Sequence, residues 1–157
     1  DRACCSTTEI VALKVHTLGL ETAGGDTHLD PATRAAASSL AAEIRGAGLH
    51  VGWLCFEAPE VPDSLAECGA AGALRSVQIG EGGSLIWKPR SGEPVLEDLL
   101  REHCAGCRVV FVERRKTPMT LRFLGDGRWR LSSAESTLEL DGGQLAARLR
   151  RPRLLGT

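Results

Sequence analysis

Short apolar runs alternate along this chain with a helical pattern, and this alternation limits the folds available to it. The runs lie at residues 9–20, 49–56 and 108–112, and the last two read LHVGWLCF and RVVFV. Nearly continuous apolar strands are typical of parallel sheets that are covered on both faces. The sequence therefore predicts an α/β sandwich of three layers with a mixed, mostly parallel sheet, in which residues 9–20 form the central strand.

A helix is predicted between the first two strands. Asp30 and Pro31 mark its start, because aspartate caps free backbone amides and proline is tolerated in the first helical turn. Apolar residues recur at every fourth position of this segment: Ala36, Leu40 and Ile44. This spacing gives the helix one apolar face that can pack on a sheet, and Gly46 is expected to end it.

The middle of the chain shows two further helices separated by two strands. A helix is predicted from Asp63 to Ala71, with Asp63 and its neighbour as caps. Strands are predicted at residues 73–79 and 84–88, joined by a turn rich in glycine. Pro94 is expected to open the next helix, whose leucines form one face.

The last third of the chain predicts a strand, a hairpin and a helix. Beyond strand 108–112, the segments 120–124 and 128–131 alternate apolar and polar residues on either side of a Gly-Asp-Gly turn. This pattern predicts a β-hairpin with its leucines and Trp129 inward and its arginines in solvent. A short helix over residues 143–151 closes the predicted fold, and residues 152–157 are expected to fray.

Composition is typical of a single globular domain. The chain has 157 residues, of which 43% are apolar and 25% charged. Its apolar runs are much shorter than the roughly 20 residues that span a bilayer, and no basic start with an apolar core marks a signal peptide. We therefore expect an intracellular protein without membrane contact. The start at Asp1 instead of Met suggests a domain cut from a larger protein or a processed product.

Charge is divided unevenly along the chain. Residues 1–104 carry 8 Lys and Arg against 15 Asp and Glu, whereas residues 105–157 carry 11 against 5. Clustered arginine attracts phosphate, so the C-terminal part is a candidate nucleic-acid or acidic-ligand face. The alternatives are that the two halves attract each other, or that the basic end is simply solvated.

The candidate basic face combines a run after strand 108–112 with the exposed side of the hairpin. Its residues are Arg114, Arg115, Lys116, Arg122 and Arg130. Tyrosine is absent from the chain, and the hairpin's Phe123 and Trp129 are predicted to point into the core. Such a surface would bind a phosphate backbone with little base selectivity. A solvated arginine-rich face or a partner-docking edge is an equally good interpretation.

Residue types used in catalysis do not fall into a recognisable arrangement. The loop at 19–27 follows a strand and precedes a helix, as a phosphate-binding loop does, but it has no Gly-Lys-Ser/Thr, and Asp26 and Asp30 would repel phosphate. His16 and His28 are candidates to share a pocket edge with these aspartates, and His50 is predicted to be a structural residue of the core. We expect neither enzymatic activity nor a cofactor.

The six cysteines are interpreted as reduced thiols, because an α/β chain of this length does not need disulfide bonds for stability. Two of them lie in apolar segments and are expected to be small core residues: Cys55 and Cys68. Cys104 and Cys107 have the spacing of a zinc-ligand pair, but their only possible partners, Cys4 and Cys5, are adjacent and chelate one metal poorly. Free thiols at a helix end are therefore favoured over a metal site.

Three consecutive segments share a pattern of structural glycines and apolar positions. They are LAAEIRGAGLHVGW (40–53), AECGAAGALRSVQIGEGG (66–83) and SLIWKPRSGEPVLEDLLREH (84–103). With the preceding strand, they resemble the anticodon-binding domain of class II aminoacyl-tRNA synthetases of the His/Gly/Thr/Pro type. The resemblance implies an α/β domain over residues 1–107, with residues 108–157 as an extension packed on it. It implies a ligand face at Glu57, Glu81, Lys88 and Arg90.

Degenerate copies of that domain act as docking or dimerisation modules in accessory subunits and regulators. The resemblance therefore implies a non-catalytic binding module within a larger protein. Its expected ligand is a tRNA-like RNA or a protein partner, which includes a second copy of the chain. The basic face described above would extend the ligand surface.

A second similarity involves DSLAECGAAGA (63–73), followed by GEPVLEDLL and RVVFVERRKTP within residues 92–118. These segments are similar to the P-loop adapter protein of molybdopterin-guanine dinucleotide synthesis. This alternative accounts for the strand at 108–112. It implies a divergent adapter that has lost its phosphate loop.

Overall fold

A computed structural model of the protein describes residues 15–57 and 62–156. Its elements in chain order are β1 (His16–Glu21), α1 (Pro31–Gly46), β2 (Val51–Cys55), α2 (Asp63–Ala70), β3 (Ser76–Gly80), β4 (Gly83–Trp87), α3 (Leu96–His103), β5 (Val109–Glu113), β6 (Thr120–Gly125), β7 (Arg128–Ser132), β8 (Thr137–Asp141) and α4 (Gly142–Leu149). The described residues form two compact units. Unit 1 holds residues 15–54 and 106–156, and unit 2 holds residues 55–57 and 62–105.

The sheet of unit 1 has six strands in the order β2-β5-β1-β6-β7-β8. Strand β1 is parallel to both of its neighbours, with His16 opposite Val109 and Gly19 opposite Thr120. Strands β6, β7 and β8 form an antiparallel meander, in which Leu121 faces Leu131 across the first pair. The predicted α/β class, with a mixed and mostly parallel sheet, is confirmed. The predicted residues 9–14 of the first strand lie outside the described residues.

Helix α1 forms where its capping residues and its apolar spacing place it. Asp30 Oδ1 accepts a hydrogen bond from the Thr33 backbone N–H at 2.8 Å, and Pro31 occupies the first turn. The residues that α1 buries are Thr33, Ala37, Leu40 and Ile44. The buried side chains alternate by three and four positions, so one face of the helix joins the core while the other stays in solvent.

The core of unit 1 is built from one face of its sheet and from two helices, because the strand registers place the buried side chains of the cluster on the same side. Leu18 and Leu20 of β1, Phe111 of β5 and Trp129 of β7 are almost completely buried. Helix α4 contributes Leu145 and Leu149 to the same cluster. The Arg150 guanidinium also donates to the Ala47 carbonyl, which joins the C-terminal ends of α4 and α1. The inward position predicted for Trp129 is confirmed.

Three predicted features at the β2 edge of the main sheet are wrong. Strand β2 was expected to be covered on both faces, but it is an edge strand of mostly half-buried residues because it has a single neighbour, β5. Its neighbour His50 is exposed instead of a core residue, and only the His50 carbonyl is structural, accepting the Arg108 N–H at 2.8 Å. Cys55, at the end of β2, is exposed too.

The C-terminal end is more ordered than its sequence predicts. Leu154 is 1% exposed and belongs to the core cluster, so the expected fraying of residues 152–157 is wrong for it. The Arg148 guanidinium donates to the Leu154 carbonyl at 2.9 Å and holds the segment against α4. Strand β8 was not predicted, although Leu138 and Leu140 alternate with polar residues in the way that a half-buried strand requires.

Unit 2 combines α2, α3 and a ribbon of two antiparallel strands, β3 and β4. In the ribbon Ser76 faces Trp87 and Gly80 faces Gly83. Both strands were predicted close to their observed positions, but they form a sheet of their own instead of joining β1 and β2. Helix α2 has Pro62 at its N-cap and no capping side chain, so the predicted cap at Asp63 is wrong. Cys68, predicted in the core, is exposed.

The division into units does not follow the predicted domain boundary between residues 107 and 108. Strand β5 lies between β2 and β1, and β6 lies on the other side of β1. Residues after 108 therefore supply the middle of the main sheet. Within the described part of the chain, no helix is long and apolar enough to cross a bilayer.

Candidate functional site

Unit 2 contains an open cleft of about 890 Å³. Its lining residues are Ala66, Gly69 and Ala70 of α2, Val77, Ile86 and Trp87 of the ribbon, and the polar or flanking residues Arg75, Lys88, Pro89, Arg90, Glu102 and His103. A cavity of this volume is within the range of pockets that hold ligands or short peptide segments. The cleft therefore has an apolar floor and a charged margin.

Small residues on α2 set the width of the cleft. A Cβ atom added to Gly69 would lie only 2.4 Å from Trp87 Nε1. No side chain can be accommodated at that distance without moving the indole ring, so glycine at this position allows the helix to approach the ribbon closely. Trp87 is half-buried beneath α2 and supplies the aromatic part of the cleft floor.

A cluster of four polar side chains forms the margin of the cleft. Lys88 Nζ donates to Glu102 Oε1 at 2.8 Å, and Arg90 Nη2 donates to Glu102 Oε2 at 3.1 Å. Arg90 Nη2 also lies 3.1 Å from His103 Nε2. Proline at position 89 disfavours the helical conformation for Lys88, and in extended backbone alternate side chains point to one side. Both cations come from the short segment after β4, on either side of Pro89.

The Glu102 carboxylate is strongly stabilised in its charged form. The hydrogen bond from Lys88 is the main cause, with a further one from Arg90, and together they outweigh desolvation to lower the pKa of Glu102 from 4.5 to about 2. At neutral pH the cluster therefore contains one carboxylate and two permanent cations. Its excess positive charge is available to a second anion.

Positive charge is concentrated at this cleft although unit 2 is acidic. Residues 55–105 contain four basic and nine acidic side chains, a net charge of −5. Three of the four basic residues, Arg75, Lys88 and Arg90, line the cleft. The fourth, Arg101, pairs with Asp98 at 2.8 Å. Among the described residues, Arg75 forms no ion pair.

Six large apolar side chains of unit 2 are exposed to solvent. Those that are exposed are Leu74, Val77, Ile79, Leu85, Ile86 and Val95. Val77 pairs with Ile86 across the ribbon, and Ile79 lies two residues further along β3, so these three share one face. Ile79 is 86% exposed and Leu74 is 81% exposed. The apolar face begins in the cleft and continues beyond it.

The structure brings together two of the four residues that the synthetase resemblance indicated. Lys88 and Arg90 meet at Glu102, as described above. Glu81 lies exposed in the turn between β3 and β4, and Glu57 is exposed with a left-handed backbone (φ 51°). Neither acidic residue lines the cleft. Sequence reasoning missed Glu102, because a salt bridge spanning 14 positions has no local signature.

The predicted basic face is partly neutralised by acidic neighbours. Arg130 Nη2 lies 2.9 Å from Glu139 Oε1, and Arg122 Nη2 lies 3.7 Å from Glu21 Oε1. Arg122 and Arg130 are directly opposite each other on β6 and β7, which confirms the predicted alternation of the hairpin. The remaining members of the face follow β5: Arg114 and Arg115 are half-buried, and Lys116 is exposed.

The loop after β1 satisfies its own amides instead of presenting them to a ligand. The Thr22 N–H donates to the Asp26 carbonyl at 2.9 Å, and the Asp26 N–H donates to Thr22 Oγ1 at 3.1 Å. The hydrogen bonds from Thr33 lower the pKa of Asp30, so a carboxylate occupies the N-terminus of α1. A phosphate would meet negative charge at this position.

Unit 1 contains an ion pair between a buried carboxylate and a half-exposed arginine. Glu113, at the end of β5, has a side chain only 2% exposed and accepts hydrogen bonds from two guanidinium nitrogens of Arg34, at 2.7 and 3.2 Å. Trp53 Nε1 donates to the same carboxylate at 2.6 Å. All these partners are on α1 and β2, so the pair fastens three elements of the fold. Only the position of glutamate at the end of an apolar strand hinted at it.

The histidines and cysteines that the structure describes are dispersed over separate elements. His16 Nε2 contacts the Arg151 carbonyl at 3.2 Å, whereas His28 lies in the exposed loop beside Asp26, so the predicted shared pocket edge is wrong. Cys104 is buried and Cys107 half-buried, and the described residues contain no group of three or more His, Cys, Asp or Glu that could hold a metal. Cys4 and Cys5 lie outside the described residues.

No protein-family model matches this chain, and a search of curated proteins finds no match.

Proposed function

We propose that this chain is a non-catalytic module that docks another protein, and that the ribbon of unit 2 is its docking element. The observation that carries the proposal is the apolar face formed by Val77, Ile79 and Ile86, which is open to solvent. Contiguous exposed apolar surface rimmed by polar residues is typical of protein interaction sites.

The form of the ribbon supports the same interpretation. Two-stranded sheets are only marginally stable by themselves, and within the described residues β3 and β4 pair only with each other. Each strand therefore has an outer edge of backbone groups that a partner strand can pair with. A partner would bury the apolar face and stabilise the ribbon together.

A different protein fits this surface better than a second copy of the chain. A symmetric dimer places the same patch of each subunit against itself. Unit 2 has a net charge of −5, so two copies meeting at the ribbon would bring like charges together. A different protein without this excess of negative charge avoids the repulsion.

RNA binding is less well supported because many cationic groups already have acidic partners. Lys88 and Arg90 share Glu102, while Arg122 and Arg130 face Glu21 and Glu139. An RNA phosphate would have to compete with these carboxylates.

Site-specific photo-crosslinking tests the proposal. A benzoyl-phenylalanine at position 79 of the full chain should crosslink to one defined protein, and the same group at Ser38, exposed on α1, should not. The purified partner should then bind the purified chain, and Ile79→Asp should abolish that binding. Failure to obtain such a partner from position 79 would contradict the docking role.

A titration with labelled tRNA separates the RNA alternative. We expect little binding even at low salt. Binding at low salt that Lys116→Glu weakens and Ile79→Asp leaves unchanged would overturn protein docking in favour of RNA, since phosphate contacts are strongly dependent on salt.

A further inference from the structure

We infer that the cleft of unit 2 binds a short peptide segment that carries an apolar side chain beside a carboxylate. This inference rests on the proposed docking function and specifies the chemistry of the partner. Three features of the cleft support it: an unpaired cation, an apolar floor and an acidic surrounding surface.

The unpaired cation is Arg75. Lys88 and Arg90 share the Glu102 carboxylate, but Arg75 lines the same cleft without an ion pair to any described residue. A guanidinium has five N–H donors in a planar fork that matches a carboxylate. Arg75 can therefore receive a ligand carboxylate without displacing Glu102. Arg90, which uses Nη2 for Glu102 and His103, has further N–H groups for the same ligand.

The floor of the cleft selects an apolar side chain next to that carboxylate. Val77, Ile86 and Trp87 provide aliphatic and aromatic surface, and Pro89 extends it toward the charged margin. On the α2 wall, Gly69 lies against the Trp87 indole, and Ala66 and Ala70 add small apolar side chains to the lining. Burial of that side chain would supply affinity, since roughly 25 cal/mol is gained per Å² of apolar surface removed from water.

The acidic surroundings restrict how long an acidic ligand can be. Three of the four basic residues of unit 2 line the cleft, while the unit as a whole has a net charge of −5. A segment with one or two carboxylates is attracted locally, whereas a long acidic stretch would be repelled outside the cleft. Nucleic acid, which carries a charge on every nucleotide, fits this pattern poorly.

Fluorescence anisotropy with defined peptides tests the inference. The probe is a fluorescein-labelled, C-terminally amidated peptide in which leucine and phenylalanine are flanked by aspartates, and its match carries asparagines instead. We expect the aspartate peptide to bind at least about tenfold more tightly, which corresponds to about 1.4 kcal/mol. Its binding should shift the indole N–H resonance of Trp87 and should weaken with added salt.

Two arginine variants provide the matched comparison. Arg75→Ala should weaken the aspartate peptide about tenfold, and Arg75→Lys should restore part of the loss. Arg45→Ala removes an equally exposed arginine from α1 of unit 1 and should change nothing. Equal binding of the two peptides, no effect of Arg75→Ala, or full displacement of the peptide by inorganic phosphate at constant ionic strength would each overturn the inference.

The same measurements separate this inference from the proposed function. Ile79 lies outside the cleft lining, so Ile79→Asp should block docking of the partner and leave peptide binding unchanged. If the peptides fail to bind while Ile79→Asp still abolishes docking, the cleft inference fails and the docking function stands. Peptide binding together with a partner that ignores Ile79→Asp would instead remove the ribbon from the docking surface.

Discussion

Unit 1 buries most of its large apolar side chains, whereas unit 2 exposes many of its own. In unit 1 the leucines of the strands and helices join one buried cluster with Phe111 and Trp129. In unit 2, of the described apolar side chains, only Leu65 and Cys104 are buried, and α3 buries none of its residues. The difference indicates that unit 1 is stabilised by its own core, while unit 2 leaves most of its large apolar side chains in solvent, as the proposed docking function requires.

Their charged pairs differ in the same way. Glu113 in unit 1 is buried and held by Arg34 and Trp53, so its role is to fasten the fold. Glu102 in unit 2 lies at the cleft margin, where it is about one third exposed and orients Lys88 and Arg90. The Glu113 pair links elements within the fold, whereas the Glu102 pairs hold two cations at a partly exposed surface.

The largest effect is expected for a core truncation that breaks unit 1. Leu18→Ala should lower the free energy of unfolding by about 2–5 kcal/mol, because it removes buried methyl groups and leaves a cavity in the central strand. Leu74→Ala, at an exposed leucine of unit 2, should change it by about 0.5 kcal/mol or less. Urea denaturation followed by circular dichroism measures both. Similar losses for the two variants would contradict the contrast between the units.

Changing a carboxylate to an amide compares how much a buried glutamate and an exposed glutamate contribute to the free energy of unfolding. Glu113→Gln should cost about 1–3 kcal/mol, since the amide nitrogen, at a buried position, must face an N–H donor of Arg34 or Trp53. The same change at the exposed partner of Arg130, Glu139→Gln, should cost about 0–1 kcal/mol. Urea titrations of both variants give the two values, and an equal cost would remove the structural role assigned to Glu113.

Helix caps offer a smaller test. In α4, Asp141 and Gln144 form a reciprocal capping box, and Asp141→Ala should destabilise the protein by about 1 kcal/mol. In α2, Asp63 lies in the first turn without a capping bond, so Asp63→Ala should lose only a few tenths of a kcal/mol through the helix dipole. Thermal unfolding of the pair measures the difference. A larger loss at Asp63 would show that α2 depends on a cap after all.

The pH dependence of Glu102 should be the smallest effect on stability and the most local one. Because folding lowers the pKa of Glu102 from 4.5 to about 2, its stabilising contribution is present above pH 4.5 and is lost as the pH falls toward 2. NMR titration of the side-chain carboxyl should give a midpoint that Lys88→Met raises. Arg101→Met, which removes the partner of Asp98, should leave that midpoint where it is. An unchanged midpoint in Lys88→Met would rule out Lys88 as its cause.

Local sequence patterns predicted the positions of helices and strands well, but predicted the burial of those elements poorly. The spacing of Ala36, Leu40 and Ile44, with Asp30 as cap, indicated α1 to within a residue or two, and RVVFV indicated the fully buried β5. The apolar segment around Cys55 looked equally buried, yet β2 is an edge strand. Burial depends on how many neighbours a strand acquires, and a strand's own residues do not encode that number.

The sequence likewise indicated only some of the residues of the candidate site. Lys88 and Arg90 were indicated through a family resemblance, but their partner Glu102 and the neighbouring cation Arg75 were not. These groups come from different elements that meet only after α2, α3 and the ribbon have packed. The buried Glu113 pair was missed for the same reason, since Arg34 is 79 positions away.

The sequence by itself determined the α/β class, the position of α1 and most strands, and the alternation of the hairpin, because caps, turns and side-chain periodicity act over a few residues. Only the tertiary structure decided that β3 and β4 form a separate ribbon, that β5 enters between β1 and β2, and that an acidic unit gathers three cations at one apolar cleft. Those outcomes depend on contacts between residues that are far apart in the sequence. Caps, turns and periodicity act over a few residues and do not determine which distant segments pair.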